Sequence, residues 1–244
     1  MYALMSGKKA GDYKAVLRAV KKALPDELEL QEAMVDFEAG IWKALSAVFP
    51  QVKRLGCSFH WKQAVWRKIQ VLGLQTAYKQ SKDVHQLLKE LMTLPCLPAE
   101  IIETVFQSLR ERAEGPLLQQ VFKYVHDTWI TSDVWTPSSW STFLSSIRTN
   151  NDVEGWHSRL NWKTGRANLT LYELISALHR EALSVGIQMR LVSEKKLSKF
   201  QRRQWRSQQA RLFALWDEFV SGQRTAKHLL RAAANIVGQA PDDK

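Results

Sequence analysis

Two acids and a small set of sulfur and imidazole ligands stand out by their settings. Asp36 ends the apolar run "LQEAMV" and precedes "FEAGIWKALSAVF", whose apolar residues recur at helical spacing. An acid at the carboxyl end of a strand sits where sheet-and-helix folds gather ligands and catalytic groups. An aspartate there serves equally well as the cap of the next helix. Glu154 lies in "SIRTNNDVEGWHSRLNW", a stretch too polar for a core helix and too aromatic for a solvated loop. If it is helical, Glu154 and His157 share a face one turn apart, with Asn150 or Asn151 as N-cap. The plainer reading is a capped amphipathic helix whose acid complements the dipole of its first turn.

Cys57 and His60 stand three apart in "CSFHW", at a strand-to-helix junction. A thiolate and an imidazole at that spacing make half of a zinc site. His157 is the first candidate for the remote half, with Cys96 and His85 behind it. The alternative is a buried cysteine beside a hydrogen-bonded histidine. "WKQAVWRK" and "KFQRRQWRSQQAR" interleave Lys and Arg with Trp. Such runs neutralise phosphates and stack on bases, or they are solvated helix faces with Trp turned inward. No P-loop, G-x-S-x-G elbow or H-E-x-x-H is present.

The elements that must hold these residues alternate at first. "YALMS" predicts a strand, and Asp12 predicts the cap of a helix through "YKAVLRAVKKAL" that closes at Pro25. "LQEAMV" predicts the next strand, "FEAGIWKALSAVF" a helix ending at Pro50, and "VKRLGCSF" a third strand. Beyond His60 the pattern is wholly helical, with candidates over 62–72, 82–94, 99–113 and 117–129. A Ser, Thr and Trp-rich connection leads to the Glu154 stretch, and two long helices follow. Hydrophobic residues make up 45% of the 244 residues, which predicts a globular chain with a substantial core. Lys and Arg outnumber Asp and Glu by 35 to 24, and the net charge of +11 suits a polyanion, most simply nucleic acid. Two cysteines make no disulfide framework and predict a reducing compartment. No apolar run is long enough to span a bilayer, and the start does not read as a signal peptide.

The order of these features carries a resemblance. An acid ends a strand ("MVDFEAGIWKALSAVFP"), a C-x-x-H follows the next strand ("RLGCSFHWKQAVWRKI"), and after a helical insertion comes Asn-Asn-x-x-Glu-x-x-His ("TNNDVEGWHSRLN"). From about Tyr2 to Asn161 the chain resembles the transposase domain of the MULE (Mutator-like element) family. The resemblance implies an RNase H-like fold of the DDE superfamily. There, three acids hold two divalent ions, Mg²⁺ or Mn²⁺, that activate water or a 3′-hydroxyl against a DNA phosphodiester. Carboxylates suit such hard ions. By resemblance Asp36 is the second acid and Glu154 the third. Cys57 and His60 match the family's C-x-x-H, with an implied structural, zinc-linked role, and His157 matches the histidine one turn after the glutamate.

The family's first acid lies on a strand upstream of "YALM", where this chain begins. The expected fold class is therefore helix-rich α/β: a partial RNase H-like sheet without its first strands, a large all-helical insertion, and C-terminal helices. The expected division is a partial core over 1–61, an insertion over 62–145, a return to the core over 146–165, and a helical region over 166–244. The expected function is that of a transposase fragment, inactive as given, whose full-length parent cuts and joins DNA. A domesticated DNA-binding or regulatory protein without catalysis is the alternative. The implied partner is DNA, as element ends and target, with no membrane, a nuclear location and a homo-oligomer as the assembly.

Overall fold

The computed structural model describes residues 2–25, 30–145, 147–149, 151–165, 168–193 and 203–241; the side chains of 151–154, 184–193 and 203–206 lie outside that description. The N-terminal part forms α1 (Ala10–Ala23), β1 (Glu32–Val35), α2 (Ala39–Val48) and β2 (Lys53–Gly56). β1 and β2 pair in parallel, with Glu32 opposite Lys53 and Val35 opposite Gly56. α2 forms because Trp42, Leu45 and Val48 recur at helical spacing, and Pro50 stops it. Leu45 and Val48, with Phe49 and Val52, make a small core closed by Leu17 of α1 and by Ala33 and Val35 of β1.

Two details differ from the expectation. Residues 2–5 form no strand. A strand exists only through a paired neighbour, and among the described residues β1 pairs with β2 alone. Tyr2 stacks instead on Trp156, ring centres 5.2 Å apart. Asp12 is not the cap of α1. It is the third helical residue, and its carboxylate accepts the backbone N–H of the N-cap, Lys9, at 2.9 Å. This is the acid half of a capping box, and the cap itself lies three residues before the position the sequence pattern gave it.

The remainder is helical: α3 (Ser58–Val71), α4 (Gln75–Gln80), α5 (Lys82–Leu91), α6 (Ala99–Glu111), α7 (Pro116–Val125) continued by a π turn over His126–Ile130, α8 (Pro137–Trp140), α9 (Asn151–Thr164), α10 (Leu171–Ser193), α11 (Arg203–Val220) and α12 (Ala226–Val237). One large core takes Trp61 and Ile69 from α3, Leu88 and Leu91 from α5, Phe106 from α6, Phe122 from α7, Trp216 from α11 and Leu229 from α12. The C-terminal helices α11 and α12 thus share a core with residues of the 62–145 segment. Trp216 secures this by donating its indole N–H to the Cys96 carbonyl at 2.9 Å.

"WKQAVWRK" lies on α3 and faces inward. Trp61 and Trp66 are buried, so they stack in the core and not on bases. Lys62 is partly buried beside them and donates to the Val237 carbonyl at the end of α12. A cation on a final carbonyl complements the helix dipole. Burial nonetheless pushes the Lys62 amine down to about 8. The sign follows from proton linkage. Between pH 8 and 10 the unfolded chain binds more protons at this lysine than the folded one, so stability rises with pH. The expected gain is about 2 kcal/mol across that window, and Lys62→Met should remove it. Urea denaturation at pH 8, 9 and 10 measures both. The run "KFQRRQWRSQQAR" falls outside the described side chains through Arg206.

Candidate functional site

The parallel register of β1 and β2 brings two sequence candidates out of the same sheet end. Val35 lies opposite Gly56, so the residues that follow, Asp36 and Cys57, emerge side by side. The Cys57 N–H donates to the Val35 carbonyl at 3.1 Å, extending the ladder by one bond. Cys57 then occupies the N-cap position of α3, fully buried, and forms no disulfide. One turn into α3, His60 turns its Nδ1 toward Asp36 Oδ1, 2.9 Å away. The Asp36 carboxyl is half-exposed, at 47%. Its carboxylate therefore faces an imidazole. α2 takes Glu38 as its N-cap, with no side-chain cap bond. The Asp36 carbonyl is held from the other side by the Trp42 indole N–H at 2.9 Å.

Each member of the Asp36–His60 pair is followed by an anchor in one aromatic cluster. Phe37 sets its ring edge-on to Trp129 at 4.6 Å and to Trp135 at 5.8 Å. Trp61 lies 6.0 Å from Trp129 and stacks on Trp140 at 5.1 Å. The Phe37 ring occupies the space beside Gly56, where an added Cβ would lie 2.2 Å from its edge. Glycine at the end of β2 is thus a packing requirement of the site.

A second cluster flanks Asp36. Glu38 accepts the Tyr13 hydroxyl at 2.5 Å and the Lys8 ammonium at 2.9 Å, both from the N-terminal end of α1. The Tyr13 bond, and then Lys8, hold the Glu38 carboxyl below its usual range. The same bond pushes the Tyr13 phenol up to about 12.

The chain returns to this sheet end from far away in sequence. Ser58, the first residue of α3, donates both its N–H (3.0 Å) and its hydroxyl (2.7 Å) to the Arg148 carbonyl. α9 begins three residues later, at Asn151. Glu154 lies in the opening of α9, and its side chain, like that of Asn151, lies outside the described residues, as does Asn150. Trp156 packs between Tyr2 and the His157 ring, and His157 itself is exposed.

The other predicted ligands have different surroundings. Cys96 is buried in the helical core, and burial pushes its thiol up. His85 Nδ1 lies 3.0 Å from the Tyr78 carbonyl. Among the described residues no group of three or more His, Cys, Asp or Glu side chains is arranged to hold a metal ion. Sequence reasoning missed Trp42 and Ser58. A serine at the start of a helix is a recognisable signal, but the carbonyl it binds lies 90 residues away.

No helix among the described residues is long and apolar enough to cross a membrane. No curated protein and no solved structure matches the chain. The model of the MULE transposase domain matches residues 1–64, the segment that holds β1, Asp36, β2 and the Cys57–His60 turn, and over that segment the chain is similar to this family.

Proposed function

We propose that the chain is a transposase-derived DNA-binding protein in which Asp36 and Glu154 are carboxylates of a divalent-metal site. The return of the chain at Arg148 carries this reading. The bonds from Ser58 tether the approach to α9, the helix of Glu154, at the sheet end that bears Asp36. The donor chemistry fits at Asp36: a half-exposed carboxylate is a hard oxygen ligand suited to Mg²⁺ or Mn²⁺. Such an ion, when bound, polarises a phosphodiester oxygen. His60 orients the carboxylate, and Trp42 fixes the backbone that carries it. Two other acids of this segment are committed elsewhere, Asp12 to the backbone N–H of Lys9 and Glu38 to Tyr13 and Lys8. Under this reading Asp36 and Glu154 are two of the acids that a metal-dependent cleavage of DNA requires.

Mn²⁺ titration followed by electron paramagnetic resonance tests the site. Asp36→Asn and Glu154→Gln should each weaken binding by more than the roughly tenfold typical of losing an outer-shell partner. Equal Mn²⁺ affinity in all three proteins would sink the assignment. A zinc role for Cys57, His60 and His157 is a separate proposal. It would use His60 Nε2, because Nδ1 faces Asp36, and metal analysis of the purified protein checks it. The second functional reading, a domesticated protein without catalysis, is favoured by cationic side chains on α1 that need no metal to meet a phosphate. DNA affinity unchanged by EDTA would support it over the metal-dependent reading.

A further inference from the structure

We propose that the outward face of α1 is the surface along which DNA runs to the Asp36 end of the sheet, with Lys14, Arg18 and Lys22 each neutralising one backbone phosphate. This rests on the DNA-binding reading above and adds the place and direction of contact. The three cations are spaced four residues apart, so they line one face of the helix at intervals of about 6 Å. Arg18 and Lys22 are exposed, Lys14 is partly so, and none pairs with a carboxylate among the described residues. Asp12, the one acid within α1, is turned to the backbone N–H of Lys9.

The rest of this face is small and open. Ala15 and Ala19 are exposed, and a Cβ added to Gly11 would meet nothing within 4 Å. A phosphate backbone can approach such a face closely. Although α1 is 14 residues long, none of its residues is fully buried, and it packs mainly on α2.

The direction is set by the fold. α1 leads into β1, so its C-terminal end lies near the start of that strand and its N-terminal end near Asp36. The bonds from Lys8 and Tyr13 to Glu38 fix that end two residues from Asp36. A strand lying on Lys22, Arg18 and Lys14 in turn would reach Asp36 after about 20 Å, the length of α1.

The test is the salt dependence of binding to a 30-base-pair duplex between 50 and 200 mM NaCl. Three phosphate contacts contribute about 2.7 to the slope of log K against log salt. Lys14→Gln, Arg18→Gln and Lys22→Gln together should reduce the slope by about that amount. The matched control removes three charges from other exposed helix positions, Lys79→Gln, Lys227→Gln and Arg231→Gln, and should leave the slope unchanged. A wild-type protein with a steep slope that the α1 triple variant retains would overturn the α1 surface and leave DNA binding standing. Equal loss in both triple variants would likewise overturn it, by showing that net charge alone matters. No salt-dependent binding by the wild-type protein would overturn the DNA-binding reading and the α1 surface together.

Discussion

Trp140→Ala should destabilise the protein by about 4 kcal/mol, within the range for removing a large buried aromatic side chain. Trp140 is fully buried in α8. Its indole N–H is shared between the carbonyls of Trp129 at 3.2 Å and Trp135 at 3.1 Å, and its ring stacks on Trp61. Alanine leaves a cavity and removes the donor that both carbonyls use. For a chain of this length the melting temperature should fall by roughly 10 °C. The loss also reaches the candidate site, because Trp129 and Trp135 are the walls against which Phe37 rests beside Asp36. Trp140→Phe keeps most of the ring and should recover more than half of the stability. If Trp140→Ala melts within about 2 °C of wild type, the cluster is not the structural centre described here.

Arg112→Ala should cost about 3 kcal/mol, although the arginine side chain is itself 43% exposed. The cost comes from its partner. Glu90 on α5 is 4% exposed, and its carboxylate accepts Arg112 Nη1 at 2.6 Å and Gln86 Nε2 at 2.7 Å. Removing the guanidinium strands a buried negative charge with one neutral donor. Glu90→Gln in the Arg112→Ala background removes that charge and should restore most of the loss, so the double variant should be more stable than the single. Urea denaturation of the four proteins in this cycle gives the coupling directly. A double variant as unstable as Arg112→Ala alone would show that the guanidinium acts through packing and not through charge.

The parts of the fold legible in sequence are those that local pattern specifies. β1, α2 and β2 follow from short apolar runs separated by a helical period and closed by Pro50. "YALMS" has the same apolar character and forms no strand, because an apolar run says nothing of whether a pairing partner exists. α4 and α8 span 6 and 4 residues, too short for a 3.6-residue period to show. α12 carried clear signals, a Thr225 cap and Leu229, Leu230, Ala233 and Ala234 on one face. It falls within the helical region expected over 166–244.

The candidate site was legible residue by residue but not pair by pair. Spacing groups His60 with Cys57, three positions away, whereas the register of β1 against β2 groups it with Asp36. That contact depends on which strand neighbours which, and no local pattern encodes it. Trp42 is similar: an aromatic on the buried face of α2 reads as core, and only the turn after β1 brings the Asp36 carbonyl to its N–H.

The tether between Ser58 and Arg148 has a consequence for how the molecule comes into being. Its partners are 90 residues apart, so closing that loop carries an entropic cost that the neighbouring β1–α2–β2 contacts do not. During synthesis the segment with Asp36 and His60 leaves the ribosome first, and it can pair its strands while the helices are still being made. The approach to α9 can dock only after residues 62–145 have emerged and compacted. α9, the helix of Glu154, therefore docks after the strand pair that carries Asp36. A nascent chain stalled anywhere before Arg148 would hold a folded strand pair and no tether, and pulse proteolysis of stalled chains would show the N-terminal segment protected before that junction closes.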